Sequence, residues 1–274
     1  LGTTDWDDVW VPKLPAGNST ASNYYTRFNW RDIESDTTAG SYSWTVFDAF
    51  AHQAIDHGAT FSFGGMPICD GCGTLGQIPT DLHERRQKEG VPDWYYSGDQ
   101  IWIPPWNSPR FLSRWSALMN AVAEHVDTAV YRGIPLKNAL YYVDVRGYGN
   151  FGEWHTYPWR TSTPSGAVAT ASSLISIIDS VKSAFPDHPL VIAMGAFDTE
   201  NDSRVPAEAG YYALTTSNRF GEIGWRRDNL GDDGYNRWLS DNPASYSGKK
   251  FSDLILSKWK FAPIGGEPAN DLGG

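Results

Sequence analysis

Two cysteines and three methionines among 274 residues leave little sulfur for metal or redox chemistry. Cys69 and Cys72 stand in Ile68-Cys69-Asp70-Gly71-Cys72-Gly73. A structural zinc site takes four ligands, and there is no second Cys pair to complete one. A thioredoxin-like pair would open a helix, whereas this pair falls in a Gly-rich loop. A local disulfide, two free thiols and redox chemistry stay open as alternatives. The six histidines show neither His-x-His nor His-Glu-x-x-His spacing, so no metal is expected. Positive charge is also scarce. The formal net charge is −10 and no Lys/Arg run offsets it, which argues against a nucleic-acid partner. No apolar run reaches the roughly 18 residues that span a bilayer. No internal repeat, low-complexity linker or Walker-type phosphate loop is found.

What the chain has in quantity is aromatic surface: thirteen Trp and fourteen Tyr. Both residues combine a flat apolar face with a polar handle, which suits the C–H faces and hydroxyl rims of sugar rings; filling a core is the plainer use. The 41 % hydrophobic content fits one globular domain spanning 1–274. Short apolar strands recur, each followed by a loop and an amphipathic helix. Tyr24 to Trp30, Ala59 to Gly65, Ala139 to Val145 and Pro189 to Gly195 read as strands. Phe220 to Trp225 and Trp259 to Ile264 are weaker strand patterns, and Asp8 to Val11 would make a seventh. Helical spacing runs over Val46 to Ile55 with Gly58 as a stop, over Phe111 to Val130 ended by Gly133, and over about 166–185.

Near-continuous apolar strands alternating with helices imply a parallel sheet covered by helices. The nucleotide-binding open sheet carries Gly-x-Gly-x-x-Gly between strand and helix, which is not expected here. Strands that instead end in Trp, Arg, Asp and Glu fit a (β/α)8 TIM barrel, where working groups sit at the C-terminal strand ends. Six or seven strands leave an eight-stranded barrel incomplete: either a strand pattern is missed, or the chain is a piece of a longer protein whose remainder closes the barrel. An aromatic-rich insertion at about 66–109, holding Trp94, Trp102 and Trp106, reads as a wall of a cleft or as a small aromatic core of its own.

Two segments bring a strand into glycines and then a carboxylate. In Val143-Asp144-Val145-Arg146-Gly147-Tyr148-Gly149-Asn150-Phe151-Gly152-Glu153-Trp154-His155, the apolar neighbour Trp154 is expected to desolvate Glu153 and raise its pKa, as a general acid needs. The bland alternative is an ion network with Arg146 or Arg160. In Ile264-Gly265-Gly266-Glu267-Pro268, Pro268 restricts Glu267 to extended dihedrals. Two carboxylates facing each other across a scissile bond are what glycoside hydrolysis requires. Asp144, Arg146, Asn150, Trp154 and His155 around the first, with Arg27, Trp30, Trp102, Trp225 and Arg226 elsewhere, are candidate substrate contacts. No cofactor is implied. The chain starts at Leu1 with no initiator Met or signal peptide, and it carries the acceptor triplets Asn18-Ser19-Thr20 and Asn201-Asp202-Ser203. A secreted or periplasmic protein is expected.

The stretch Tyr25 to Glu34, then Gly40-Ser41-Tyr42-Ser43-Trp44 and Phe47-Asp48, resembles the second βα unit of β-galactosidase-like clan A glycoside hydrolases. Gly152-Glu153-Trp154-His155 and Gly265-Gly266-Glu267 resemble the two catalytic segments of a little-characterised branch of that superfamily. The resemblance covers roughly residues 24–70, 139–160 and 255–268. It implies a retaining hydrolase of an oligo- or polysaccharide, with Glu153 after strand four as acid/base and Glu267 after strand seven as nucleophile. The family usually carries Asn directly before the acid/base; here Gly152 holds that place and Asn150 lies two residues earlier, which puts the 2-hydroxyl contact in question. Retention demands carboxyls about 5–5.5 Å apart, inversion about 6.5–9.5 Å. A non-catalytic carbohydrate-binding barrel, or an inverting hydrolase or transglycosylase on the same scaffold, are the alternatives.

Overall fold

A computed structural model describes residues 4–6, 22–34, 38–69, 78–79, 81–82, 94–96, 101–156, 168–193, 205–230 and 245–268. Seven strands form one parallel sheet: β1 (Thr4–Trp6), β2 (Asn23–Asn29), β3 (Thr60–Met66), β4 (Leu140–Asp144), β5 (Leu190–Ile192), β6 (Gly224–Leu230) and β7 (Ile264–Pro268). Each pairs in parallel with its neighbours in chain order, β1 to β7. That order decides between the two layouts left by the sequence. A doubly wound sheet reverses strand order at a switch point, and here there is no reversal.

The sheet is also curled. Tyr25, Asp144 and Arg226 lie on β2, β4 and β6. In a flat sheet β2 and β6 would be four strand spacings apart, about 19 Å, further than a Tyr and an Arg side chain reach together. Yet the Arg226 guanidinium carbon sits 4.8 Å from the Tyr25 ring centroid, and Arg226 Nε is 2.9 Å from Asp144 Oδ2. Alternate strands thus feed one interior layer, as barrel interiors do. Closure is not reached: among the described residues this sheet has no eighth strand, and β1 and β7 do not pair.

The helices sit where apolar spacing puts them. α1 (Thr45–Asp56) buries Phe47, Phe50, Ala51, Ala54 and Ile55. Gly58, at φ +71°, turns the chain out of it. α2 (Pro109–Thr128) starts on a proline, which lacks the N–H a first turn leaves unused, and buries Phe111, Trp115, Leu118, Met119, Val122, Ala123 and Val126. α3 (Ala171–Ala184) is capped by Thr170 Oγ1, which accepts from Ser173 N at 3.3 Å. It packs against α2 on one side and α4 (Ala207–Thr215) on the other, and α4 packs against α5 (Phe251–Lys258).

Several sequence expectations are corrected. Val130 is not on the α2 stripe; it is exposed in the two-residue strand Val130–Tyr131, paired with Ile134–Pro135 across a turn in which Gly133 has φ +81°. β6 begins at Gly224, not Phe220, and β7 at Ile264, not Trp259. Phe220, Trp259 and Phe261 are exposed turn residues. The pairing Trp225↔Ile264, Arg226↔Gly265 explains the offset, because a strand begins where a ladder partner exists. α4 and α5 were not anticipated. Their apolar stripes are short, and Gly210 sits inside α4. The first strand is Thr4–Trp6, while residues 8–11 lie outside those described.

Candidate active site

The site is built on the loop that leaves β4. Two backbone pairs fold it back on itself: Trp154 N donates to Tyr148 O at 3.0 Å, and Asn150 N to His155 O at 2.8 Å. Such a tight return needs left-handed backbone. Gly149, at φ +80°, has no room for a side chain, because a Cβ would stand 2.4 Å from His155 O. Phe151 and Trp154 also adopt positive φ, 54° and 61°, without being glycine. Strain of this kind persists where the surroundings enforce it, and functional loops are a common place for it. Between these two residues sits Glu153.

Glu153 is buried among cations. Its Oε1 accepts from Arg27 Nη1 on β2 at 2.6 Å and from Arg146 Nη1 at 3.3 Å; His155 Nε2 lies 3.4 Å from Oε2. Burial alone would raise its pKa. The His155 contact and the charges of Arg146 and Arg27 outweigh burial and bring it down to about 2. This reverses the expected direction. The predicted desolvating neighbour, Trp154, is indeed fully buried, but His155, Arg146 and then Arg27 together outweigh burial, and the Arg146 contact is the ion network that the bland alternative named.

Behind Glu153 lies a second ring of charges. Asp144, at the end of β4, is fully buried. Its Oδ2 accepts from Tyr25 Oη at 2.5 Å and from Arg146 Nε at 2.8 Å, and pairs with Arg226 at 2.9 Å. Burial opposes its charge, and Arg146 and Arg226 prevail, so its pKa is lowered. Tyr25 Oη also accepts from Arg146 Nε at 2.6 Å. Arg146 continues past them and donates through Nη1 to Phe151 O at 2.5 Å. Arg27, Asp144, Arg146, Arg226, His155 and Glu153 are therefore brought together. Tyr25 was missed as a site residue, although strand alternation puts it on the same face as Arg27, two positions on.

Gly64 on β3 makes the passage for Arg146: a Cβ there would stand 2.6 Å from Arg146 Cδ. A free arginine would swing aside, but this one is held by Asp144, Tyr25 and Phe151 O. Gly64→Ala is therefore expected to destabilise the fold by about 1–3 kcal/mol, in the range of overpacked cores, read as a lower urea midpoint at unchanged m-value.

Other candidates divide. Trp30 and Trp154 have no exposed face to stack on a sugar. Trp30 packs edge-on against Phe111 and Trp115 and donates to Glu34 Oε2 at 2.5 Å. Glu34 also takes Gly40 N and Arg114 Nη2, each at 2.7 Å. The Trp30 and Glu34 of the recognised motif thus clamp the β2 loop to α2. Trp154 donates to Val145 O at 2.8 Å. Trp106 joins the core beside Phe111 and Tyr148. Asn150 is buried, and its Oδ1 accepts from Phe151 N at 3.1 Å. Trp225 is buried on β6. The backbone of Trp102 lies in Ile101–Ile103, antiparallel to Trp94–Tyr96; its side chain is outside the described residues. The same holds for Glu267, whose backbone lies within β7, between the pairs Arg227↔Gly266 and Leu230↔Pro268, rather than after the strand. Arg160 is outside the described residues. Cys69 is disulfide-bonded, one of the three alternatives left open.

Gly147, Gly149 and Gly152 do stand at Gly-x-Gly-x-x-Gly spacing directly after β4, contrary to expectation. The residues that follow, 153–156, are not helical, so the helix N-terminus that would hold a pyrophosphate does not open there. Among the described residues there is no group of three or more His, Cys, Asp or Glu fit to hold a metal ion, and no helix long and apolar enough to cross a membrane.

No family model matches the chain, and no curated protein matches it in sequence. Among solved structures it is similar to the exo-beta-1,4-mannosidase Op5Man5 from Opitutaceae bacterium strain TAV5, at 11% identity and TM-score 0.39 over 77% of this chain and 32% of that one. It is also similar to the catalytic domain of beta-amylase from Paenibacillus polymyxa, at 10% identity and TM-score 0.46 over 92% and 86%. A third is xylanase B from Clostridium stercorarium F9, at 10% identity and TM-score 0.38 over 91% and 79%. The chain spans about a third of the mannosidase's length. Likenesses this distant say nothing of its activity or substrate.

Proposed function

We propose that the chain is a retaining glycoside hydrolase acting on an oligo- or polysaccharide outside the cytoplasm, with Glu153 and Glu267 as its two working carboxylates. The observation that carries this reading is their position: one follows β4 and the other ends β7, at the C-terminal edge of a curled parallel sheet whose alternate strands converge inside. Glutamates at the ends of strands three apart in such a sheet are the arrangement that two-carboxylate hydrolysis across a sugar would use.

The mechanism needs one carboxylate and one carboxylic acid, and the surroundings of Glu153 suit it to the first part, which leaves the second to Glu267. The His155 contact and the charges of Arg146 and Arg27 hold the Glu153 pKa at about 2, so it is ionised at neutral pH. An ionised Glu153 attacks the anomeric carbon; it does not supply the first proton. Glu267 then protonates the leaving oxygen and later activates the water that hydrolyses the glycosyl-enzyme. This reverses the roles that the family resemblance implies. The test is to screen aryl glycosides and a polysaccharide panel, then follow the first-formed anomer by proton NMR. Retained configuration supports the reading, and inverted configuration rejects double displacement.

The same ion network favours a second reading. A carboxylate held by two arginines and a histidine is also what a site looks like when it has become structural. In that case the chain binds glycan without cleaving it. Saturable binding to a polysaccharide, with no product from any member of the panel, would select this reading.

A further inference from the structure

Arg146 reaches Glu153 from a distance: its guanidinium spans from the Asp144 carboxylate at one end to the Glu153 carboxylate at the other. How it is turned at the Asp144 end therefore fixes what it presents to Glu153. Tyr25 sits at that end. Its hydroxyl donates to Asp144 Oδ2 at 2.5 Å and accepts from Arg146 Nε at 2.6 Å, so each of its hydrogen bonds has one permitted direction. The ring is fully buried on β2 and stacked on Tyr142, with centroids 6.1 Å apart. The guanidinium carbons of Arg146 and Arg226 lie 5.6 and 4.8 Å from its centroid. A rigid phenol in that position serves as a stop for the arginine. Burial raises its own pKa well above the usual tyrosine value, so it stays a donor throughout.

We propose that Tyr25 is a positioning residue: its hydroxyl, braced on Asp144, sets the rotation of Arg146 and through it holds Glu153 as a carboxylate. This rests on the reading of Glu153 as the ionised member of a hydrolytic pair, but its consequence for Glu153 does not need turnover. Among the described residues, the groups that face Glu153 are Arg27 from β2, Arg146 from the end of β4 and His155 from its own loop; Asp144, Tyr25 and Arg226 stand behind Arg146. Loss of the Tyr25 hydroxyl removes one of the contacts that aim Arg146. Arg27 and His155 remain, so the effect is a partial release and not a collapse.

The experiment is a carbon-13 NMR titration of protein labelled at the glutamate side-chain carboxyls, with Glu153→Gln identifying the Glu153 signal. In the wild-type protein the signal is expected to stay that of a carboxylate down to the lowest pH at which the fold survives. In Tyr25→Phe it should begin to titrate about one pH unit higher. If the hydrolase reading holds, the acidic limb of kcat should move by the same amount, with KM little changed. A folded Tyr25→Phe whose Glu153 signal titrates as in the wild type overturns the proposal and leaves Tyr25 as packing alone. Should Tyr25→Phe not fold, 3,5-difluorotyrosine at position 25 keeps the ring and the hydroxyl but weakens the oxygen as an acceptor. It must move the signal in the same direction, and an unmoved signal overturns the proposal. A shifted titration in a protein inactive on every glycoside upholds the role of Tyr25 and rejects hydrolysis, so the two failures are distinguishable.

Discussion

Glu267→Gln is expected to slow hydrolysis of glycosides with poor leaving groups by about 10³-fold, within the range that general acid catalysis supplies. A dinitrophenyl glycoside should lose far less. Its leaving group departs as an anion and needs no proton, so it bypasses the step that the amide cannot perform. Glutamine keeps the size of the side chain, and the melting temperature should stay where it is. Added azide should accelerate turnover of the activated substrate by intercepting the glycosyl-enzyme. The azide product keeps the starting anomeric configuration, because two inversions have occurred. Glu153→Ala is expected to behave oppositely. It should lose activity on every substrate regardless of leaving group, and azide should enter the vacated position directly to give the inverted glycosyl azide. The two variants with their patterns exchanged would return the roles to those implied by the family resemblance. Both variants fully active would remove hydrolysis by this pair altogether.

The parts of this molecule that were readable from its sequence depend on local periodicity. β2 and β3 are runs such as Tyr24-Tyr25-Thr26-Arg27-Phe28 buried on both faces, and β4 is an apolar run with only Tyr141 exposed. α1 and α2 repeat apolar residues every three or four positions. The strand–loop–helix rhythm yields the parallel sheet, but the strand order and the curl come from pairing between segments distant in the chain, which no window of sequence displays. The late strands were misplaced for a related reason. Trp259 and Phe261 have high strand propensity yet find no ladder partner, while the glycines of β7 do. At the site, the Gly-rich loop and its glutamate were visible as a motif. The protonation state was legible only in part: His155 and Arg146 stand in the motif itself, but Arg27 joins them from 126 residues away in sequence, and an apolar neighbour next in the chain pointed the other way. Trp30 shows the limit of reading aromatics as sugar platforms: its indole N–H is taken by Glu34 four residues on, and its faces by Phe111 and Trp115.

The stability of the protein should carry the mark of Glu153 in its dependence on pH. The folded-state pKa, about 2, lies below the ordinary value of 4.5. A carboxyl with a depressed folded pKa contributes stability that is complete above the unfolded value and fades as pH falls toward the folded one. The window is therefore about pH 4.5 down to 2, and the contribution at neutral pH is about 3 kcal/mol. Of that, about 2 kcal/mol should be gone at pH 3. Glu153→Gln removes the titrating group, so the difference in unfolding free energy between pH 7 and pH 3, measured in urea, should shrink by about that amount relative to the wild type. Other buried acids such as Asp144 titrate in both proteins and cancel in the comparison. Glu153→Ala goes further at neutral pH. It leaves Arg27 and Arg146 facing a void where a counter-charge stood, and breaking one side of a buried ion pair costs about 3–5 kcal/mol. A second change relieves part of that cost only if the arginines are the cause: Arg27→Met in the Glu153→Ala background should recover stability, whereas in the wild-type background the same replacement should lose it. Equal pH slopes for wild type and Glu153→Gln, with no recovery in the double variant, would mean that Glu153 is not held by its arginines in solution, and the assignment of the charged role to it would fall with that result.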